Sequence, residues 1–345
     1  MIKTRKSLNK MLRYSVMILL FAFSLCASAQ NERAFSKMDL SLTTGSTGVG
    51  FDISTNVTDW MRVRAGFDVM PRIEQDVRFG IVSMDETGNL SNNFEMLNDK
   101  LKTFTGYEVK DYIDMTCKPT FYNFKFLMDF QPFKHSDSFW KNVSFTAGFY
   151  WGSSEIGTAV NNLQGAQTLN GMLMYNHLYD VALSGEPLVS IQVYDWFTKQ
   201  YIDQPVYLDA AICDRLRDVG RLGAHVGNFV DQYYTDADGN QQHKPYLMEP
   251  DTDGTVSASV KTNSFKPYLG VGYGGRLLKN NDRYHISGDL GVLFWGGKPS
   301  IITHEGVDLA HDVEDIGGKV GRYVDIVSGL RVYPVLNLRL TYTLF

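Results

Sequence analysis

Cysteine is scarce in this sequence, with 3 in 345 residues, and beyond residue 30 no apolar run approaches the roughly 20 residues of a membrane helix. The first scarcity excludes a disulfide-stapled scaffold. The second excludes a helical membrane protein. Only Cys117 and Cys213 lie outside the first thirty residues, either as two unlinked thiols or as one loop-to-loop disulfide. Positive charge is also short, with 33 Lys and Arg against 38 Asp and Glu. A basic nucleic-acid surface is therefore excluded. Catalytic motifs are missing as well: the chain has no G-x-S-x-G elbow, no H-E-x-x-H and no C-x-x-C.

What is present begins with a leader. Lys3, Arg5, Lys6, Lys10 and Arg13 precede "YSVMILLFAFSL" (14–25) and "CASAQ", where Ala27 and Ala29 form an A-x-A site. That pattern predicts a secretory signal peptide over 1–29, cleaved before Gln30. Leu25 is too bulky for the small residue a lipidation site at Cys26 would need. Cleavage would remove five basic side chains and no acidic one, taking the formal net charge from −5 to −10.

The rest of the chain, 30–345, alternates apolar and polar side chains in segments of membrane-strand length. In "WMRVRAGFDVM" (60–70), Met61, Val63, Ala65, Phe67 and Val69 oppose Arg62, Arg64, Gly66 and Asp68. The same period runs through "YNFKFLMDF" (122–130), "NVSFTAGFYW" (142–151), "HISGDLGVLFW" (285–295) and the closing "YPVLNLRLTYTLF" (333–345). With "MDLSL" (38–42), "VGFDISTNV" (49–57) and "KPYLGVGYGG" (266–275) there are eight segments. Period-2 alternation with one uniformly apolar face predicts an all-β fold, a membrane-spanning antiparallel up-and-down barrel of eight strands. Short links at 56–59, 131–141 and 278–282 alternate with a tight 44–48 turn and long excursions at 71–117, 154–263 and 297–330. Those excursions are expected to be extracellular.

The largest, 154–263, is too long to be structureless. It reads as a β-hairpin over 190–208 and a short helix over 209–223, N-capped by Asp209. Further helices are expected at 317–330 and 93–102. A wall of ten strands follows if the 190–208 hairpin enters it, though Asp195, Lys199 and Asp203 oppose lipid contact. Phe345 falls out of phase with the lipid-facing residues, so either a bulge precedes it or it turns away from lipid.

The inward set carries Arg62, Arg64, Lys125 and Arg339 beside Asp39, Asp52, Asp68, Asp129 and Asp289. In so narrow a barrel these charges must pair, because a lone buried ion costs several kcal/mol. They form an ion-pair plug or, alternatively, a charged constriction in a narrow channel, for which glycines at 50, 66, 148, 270, 272, 274 and 291 leave room. Trp60, Trp140, Trp151, Trp295 and Tyr342 fall near strand ends and are expected in interfacial aromatic belts. A third alternative is an outer-membrane hydrolase using His177, His225, His243, His304 or His311, but scattered loop histidines need no such role. "DADGN" (236–240) lacks calcium-loop spacing and reads as a hairpin turn, while "HDVEDIGG" (311–318) reads as a solvated face. No cofactor or metal is expected.

The strands and turns at 51–67, 121–133, 143–151, 266–275, 288–301 and 332–345 resemble the small outer-membrane β-barrel proteins of Bacteroidota, broadly the OmpA/OmpW-like barrels. "D-x-Q-P-F" and "F-W-G-x-K-P" are the more particular motifs. The resemblance covers less than half the chain and leaves 154–263 outside it. It implies a barrel in the outer membrane of a Gram-negative bacterium, partnered by membrane lipid and, during insertion, by the barrel-assembly machinery. It carries over no functional residue. The expected function is non-enzymatic: a filled barrel anchoring a cell-surface loop region for envelope integrity or surface interaction.

Overall fold

The computed structural model describes residues 37–85, 90–91, 110–162, 166–236, 239–278 and 280–345. The expected leader and the 93–102 helix lie outside these residues. In chain order, β1 (Met38–Gly45), β2 (Gly48–Asn56) and β3 (Met61–Val69) are followed by β4 (Gln75–Met84), β5 (Leu90–Ser91) and β6 (Tyr112–Pro119). Next come β7 (Tyr122–Phe130), β8 (Val143–Gly152), β9 (Glu155–Asn161) and the helix α1 (Ala166–Ser184). After them lie β10 (Val189–Asp195), β11 (Gln200–Val206), α2 (Ala210–Val219), β12 (Arg221–Thr235) and β13 (Gln241–Met248). The chain closes with β14 (Ser257–Lys261), β15 (Phe265–Leu278), β16 (Asn281–Phe294), β17 (Ser300–Thr303), β18 (Val313–Glu314), α3 (Gly318–Gly329) and β19 (Val332–Thr343).

Eight of these strands close an antiparallel barrel in the order β1-β19-β16-β15-β8-β7-β3-β2. Closure joins the first strand to the last, with Asp39 opposite Thr343 and Gly45 opposite Asn337, so neither edge is left unpaired. The expected strand count is met, and the 190–208 hairpin stands apart as the two-stranded β10-β11 sheet. Alternation sets the faces as the sequence predicts. Leu42, Phe51, Leu269, Leu290 and Leu336 are exposed on the outer wall, while Asp52, Arg64, Lys125 and Asn337 are buried inside. Among the described residues no helix is long and apolar enough to cross a membrane. Phe345 lies past the end of β19, exposed, its carbonyl accepting from Met38 N at 3.2 Å.

The long excursions do not remain separate loops. A nine-stranded sheet runs β13-β12-β4-β6-β9-β14-β17, with β18 on β12 and β5 on β4. Within it, β4, β6, β9, β14 and β17 repeat the neighbour order of the barrel strands β3, β7, β8, β15 and β16 to which they are chained. Hydrogen bonds carry the sheet across the breaks: Met70 N donates to Phe121 O at 2.8 Å and Thr120 N to Ile156 O at 3.0 Å. The barrel wall therefore continues past its rim as an open sheet, the cap, at the end opposite the short links.

The cap has its own core. From α1, Leu169, Met172, Tyr175, Tyr179 and Ala182 pack with Ile81, Ile113, Met115, Leu222 and Met248 of the sheet. The Asn176 amide acts as a strand edge, donating to Leu222 O at 2.9 Å and accepting from Leu222 N at 3.0 Å. Asp209 caps α2 by accepting from Ala211 N at 2.8 Å, and Gly220 at φ 84° ends that helix, where a Cβ would strike Met84 O. The "DADGN" stretch lies between β12 and β13, an antiparallel pair, as the hairpin reading requires.

Candidate functional site: the filled lumen

Inward-facing positions of neighbouring strands meet at one level because antiparallel register places them opposite each other. Arg64 pairs with Leu127 across β3-β7 and Arg62 with Asp129, so two guanidinium groups and a carboxylate enter the lumen within two rungs. Arg64 is the hub. Its Nη2 donates to Asp129 Oδ1 at 2.9 Å, and its Nη1 lies 3.2 Å from Asp289 Oδ2 and 3.5 Å from Asp52 Oδ2. Lys125 Nζ sits 2.7 Å from Asp52 Oδ1 and 2.6 Å from Asp68 Oδ1. Arg339 closes the ring against Asp129 at 3.5 Å and Asp289 at 3.7 Å, and its Nε donates to Ser287 Oγ at 2.9 Å.

Hydroxyl groups take up remaining lone pairs. Thr146 donates to Asp129 at 2.7 Å, while Thr43 and Thr47 donate to Asp68 at 3.1 and 3.0 Å. The side chains of Arg64, Lys125, Asp52 and Asp68 are 0–2% exposed, so water does not satisfy them. Burial of this many ions is tolerable only because each faces an opposite charge. Asp39, Asp129, Asp289 and Arg339 are buried in the same lumen. Arg62 is the least enclosed, its side chain 33% exposed at the end of the barrel with Asp39 Oδ2 at 3.4 Å.

One buried cation escaped the sequence reading. Lys266, 1% exposed, donates to Ser153 O at 2.9 Å and Asn123 Oδ1 at 3.2 Å, with its Nζ 5.4 Å from the Phe121 ring centre. Its parity with Gly270 and Gly272 was the available signal. Toward the cap, Phe121, Leu127, Tyr150, Tyr268, Leu293 and Val335 form an apolar layer over the ions. The inner glycines do not hollow the lumen, because the plug itself fills them. A Cβ at Gly50 would collide with Asp68, one at Gly66 with Asp52, and one at Gly291 with the Tyr268 hydroxyl.

The aromatic set divides. Trp60, Trp140 and Trp151 are exposed near strand ends, and Tyr342 packs on Tyr284 with ring centres 5.1 Å apart. Trp295 is a correction: it is 5% exposed and packs edge-on to Tyr333 at 5.2 Å. Its neighbour Phe294 shares the outer face with Ile286 and Leu290, and period 2 turns Trp295 inward.

The cap histidines serve local structure. His304 Nε2 lies 2.7 Å from Glu249 O, His311 Nδ1 2.9 Å from Asp308, and His243 Nδ1 2.9 Å from Phe229 O. Burial lowers the His225 pKa. No group of three metal-ligating side chains occurs among the described residues. Cys117 and Cys213 are free thiols.

No family model matches the chain, and no curated protein matches it. Among solved structures it is similar to CarO2 of Acinetobacter baumannii, at 12% identity over 89% of this chain and 98% of that one, with a TM-score of 0.36. CarO of the same organism gives 11% identity, 89% and 97% coverage and the same TM-score of 0.36. A major outer membrane protein from Thermus thermophilus gives 11% identity, 89% and 98% coverage and a TM-score of 0.27.

Proposed function

We propose that this chain is a non-enzymatic outer-membrane protein whose plugged barrel anchors the cap at the cell surface. The observation that carries the reading is the closed ion network around Arg64, which fills the lumen of the eight-stranded wall. An apolar outer face with exposed aromatics near its ends suits a bilayer, and the short-linked end suits the periplasm. The cap, rather than the lumen, is then the part that meets other molecules, for envelope integrity or surface interaction.

The test is single-channel conductance of the refolded protein in a planar bilayer, with Arg339→Ala and Asp289→Ala beside it. Silence from the heat-modifiable wild type is expected. A steady conductance that either substitution alters would replace the plug with a narrow channel for ions or small solutes.

A further inference from the structure

Among the described residues two lysines are buried in the lumen, and they are held differently. Lys125 Nζ lies between the carboxylates of Asp52 and Asp68, at 2.7 and 2.6 Å. Lys266 Nζ, nearer the cap, is held by neutral oxygens instead: Ser153 O at 2.9 Å, Asn123 Oδ1 at 3.2 Å and Ser264 O at 3.5 Å. Asn123 is 0% exposed, and its Nδ2 group has no hydrogen-bond partner. An amine and a primary amide thus meet in the interior, the amide held by its oxygen and unheld at its nitrogen.

Register brings the two together. Asn123 on β7 and Lys266 on β15 are separated by β8, where Asn123 stands opposite Gly152 and Lys266 opposite Tyr150. Gly152 places no side chain between them; a Cβ there would lie 2.7 Å from Asn123 Cα and 3.0 Å from its Oδ1. Phe121, whose ring centre is 5.4 Å from Nζ, belongs to the apolar layer that excludes water, the competing nucleophile. Asp68, buried, faces Asn123 across β3-β7, a pairing that sets their Cβ atoms about 5 Å apart and puts a carboxylate beside the amide.

We propose that Lys266 and Asn123 join in the folded protein as an isopeptide cross-link. Rotation about the last bonds of the lysine side chain carries Nζ from Oδ1 to Cγ, to the roughly 3–3.5 Å approach of a reacting pair. Asp68 takes a proton from the ammonium, the neutral amine forms the Nζ–Cγ bond, and a second amine proton passes to Nδ2. The Cγ–Nδ2 bond then breaks, and the departing ammonia takes the proton back from Asp68 as ammonium. Atoms and charge balance with no co-reactant and no change of oxidation state. The product ties β7 to β15 across β8 near the rim and encloses the whole 154–263 excursion in a covalent loop. It depends on the closed barrel and not on the membrane around it.

The test is a time course. Protein is refolded from urea, checked for heat modifiability, and sampled for trypsin digestion and mass spectrometry. Lys118 and Lys266 each precede proline and resist trypsin, so the expected product is residues 111–125 joined to residues 262–276, lighter than their sum by one ammonia. This branched peptide should be absent from the unfolded protein and accumulate after folding. It should never form in Lys266→Met or Asn123→Leu. Intact mass alone does not decide, because cyclisation of an N-terminal Gln30 also releases ammonia.

Asp68→Asn tests the proton carrier. Lys125 keeps Asp52 in this variant, so the barrel is expected to stay heat-modifiable while the cross-link forms about a hundredfold more slowly, the loss of a positioned base. Cross-linking at the wild-type rate would overturn that step. A folded, heat-modifiable wild type that yields only the two linear peptides would overturn the proposal as a whole.

Discussion

Arg64 balances three carboxylates at once, so its removal differs in kind from removal of a charge at the barrel mouth. Arg64→Met would leave Asp52, Asp129 and Asp289 sharing Lys125 and Arg339, a loss of about 3–5 kcal/mol. Arg62→Ala, at a partly exposed pair, should cost about 1 kcal/mol or less. Urea midpoints for folding into vesicles, compared at equal slope, measure both. In the cap, burial raises the Asp308 carboxyl pKa, but hydrogen bonds from Ile301 N, Ser300, Ala310 N and His311 outweigh it and hold it below the ordinary value. A depressed carboxylate contributes stability above its unfolded pKa of about 3.9 and loses it as pH falls through the lower folded value. Hydrogen exchange at Ile301 should stay slow through pH 5 and quicken only below about 4. In Asp308→Asn the exchange should be fast at neutral pH, with no further acid step.

Elements whose partners lie next to them were legible in the chain. The barrel strands each present one uniform apolar face, the β10-β11 hairpin has its own turn, and α2 has Asp209 at its start and Gly220 at its end. The cap strands were not, because most of them pair with a strand from another excursion, as β4 does with β12 and β6 with β9. Nothing within ten residues of β9 signals such a partner. The helix α1 escaped for a different reason: with Met174 exposed opposite the buried Leu169 and Met172, and Val181 buried on the side of Met174, its apolar residues surround the axis and blur the 3.6 period. The hairpin's isolation makes a prediction. Trp196 and Phe197 at its tip are 82% and 98% exposed, and Lys199 beside them is an open trypsin site. Trypsin added to intact cells should cut after Lys199 without dissociating the barrel. Resistance in intact cells with cutting in lysed ones would reverse the topology.

At the scale of the whole molecule, barrel and cap are one wall with two kinds of interior, ionic below the rim and apolar above it. The cap core draws on all three excursions: Ile81 from the first, Leu169 and Leu222 from the second, Ile301 and Val324 from the third. Replacing residues 154–263 with a short linker should therefore leave a heat-modifiable barrel but make 75–84 and 297–330 sensitive to protease. If those segments stayed resistant, the cap would not be a single cooperative unit. The ion ring was readable from parity alone, since a charge between two apolar neighbours in a barrel strand must point inward. The apolar cap core was not, because its residues come from all three excursions, which the chain order does not bring together.

The shared strand order of wall and cap also dictates a sequence of assembly. Five cap strands, β4, β6, β9, β14 and β17, are covalently spliced to barrel strands, and they become neighbours only when the barrel strands below them pair. The cap cannot be made first and carried across as a finished body. In the outer-membrane reading proposed above, its three segments would pass the bilayer as open chain and zip upward from the closing rim, long-range contacts last. During that interval the apolar cap residues have no partner, which makes the closing barrel both the template for the cap and the timer that limits how long it stays unfolded.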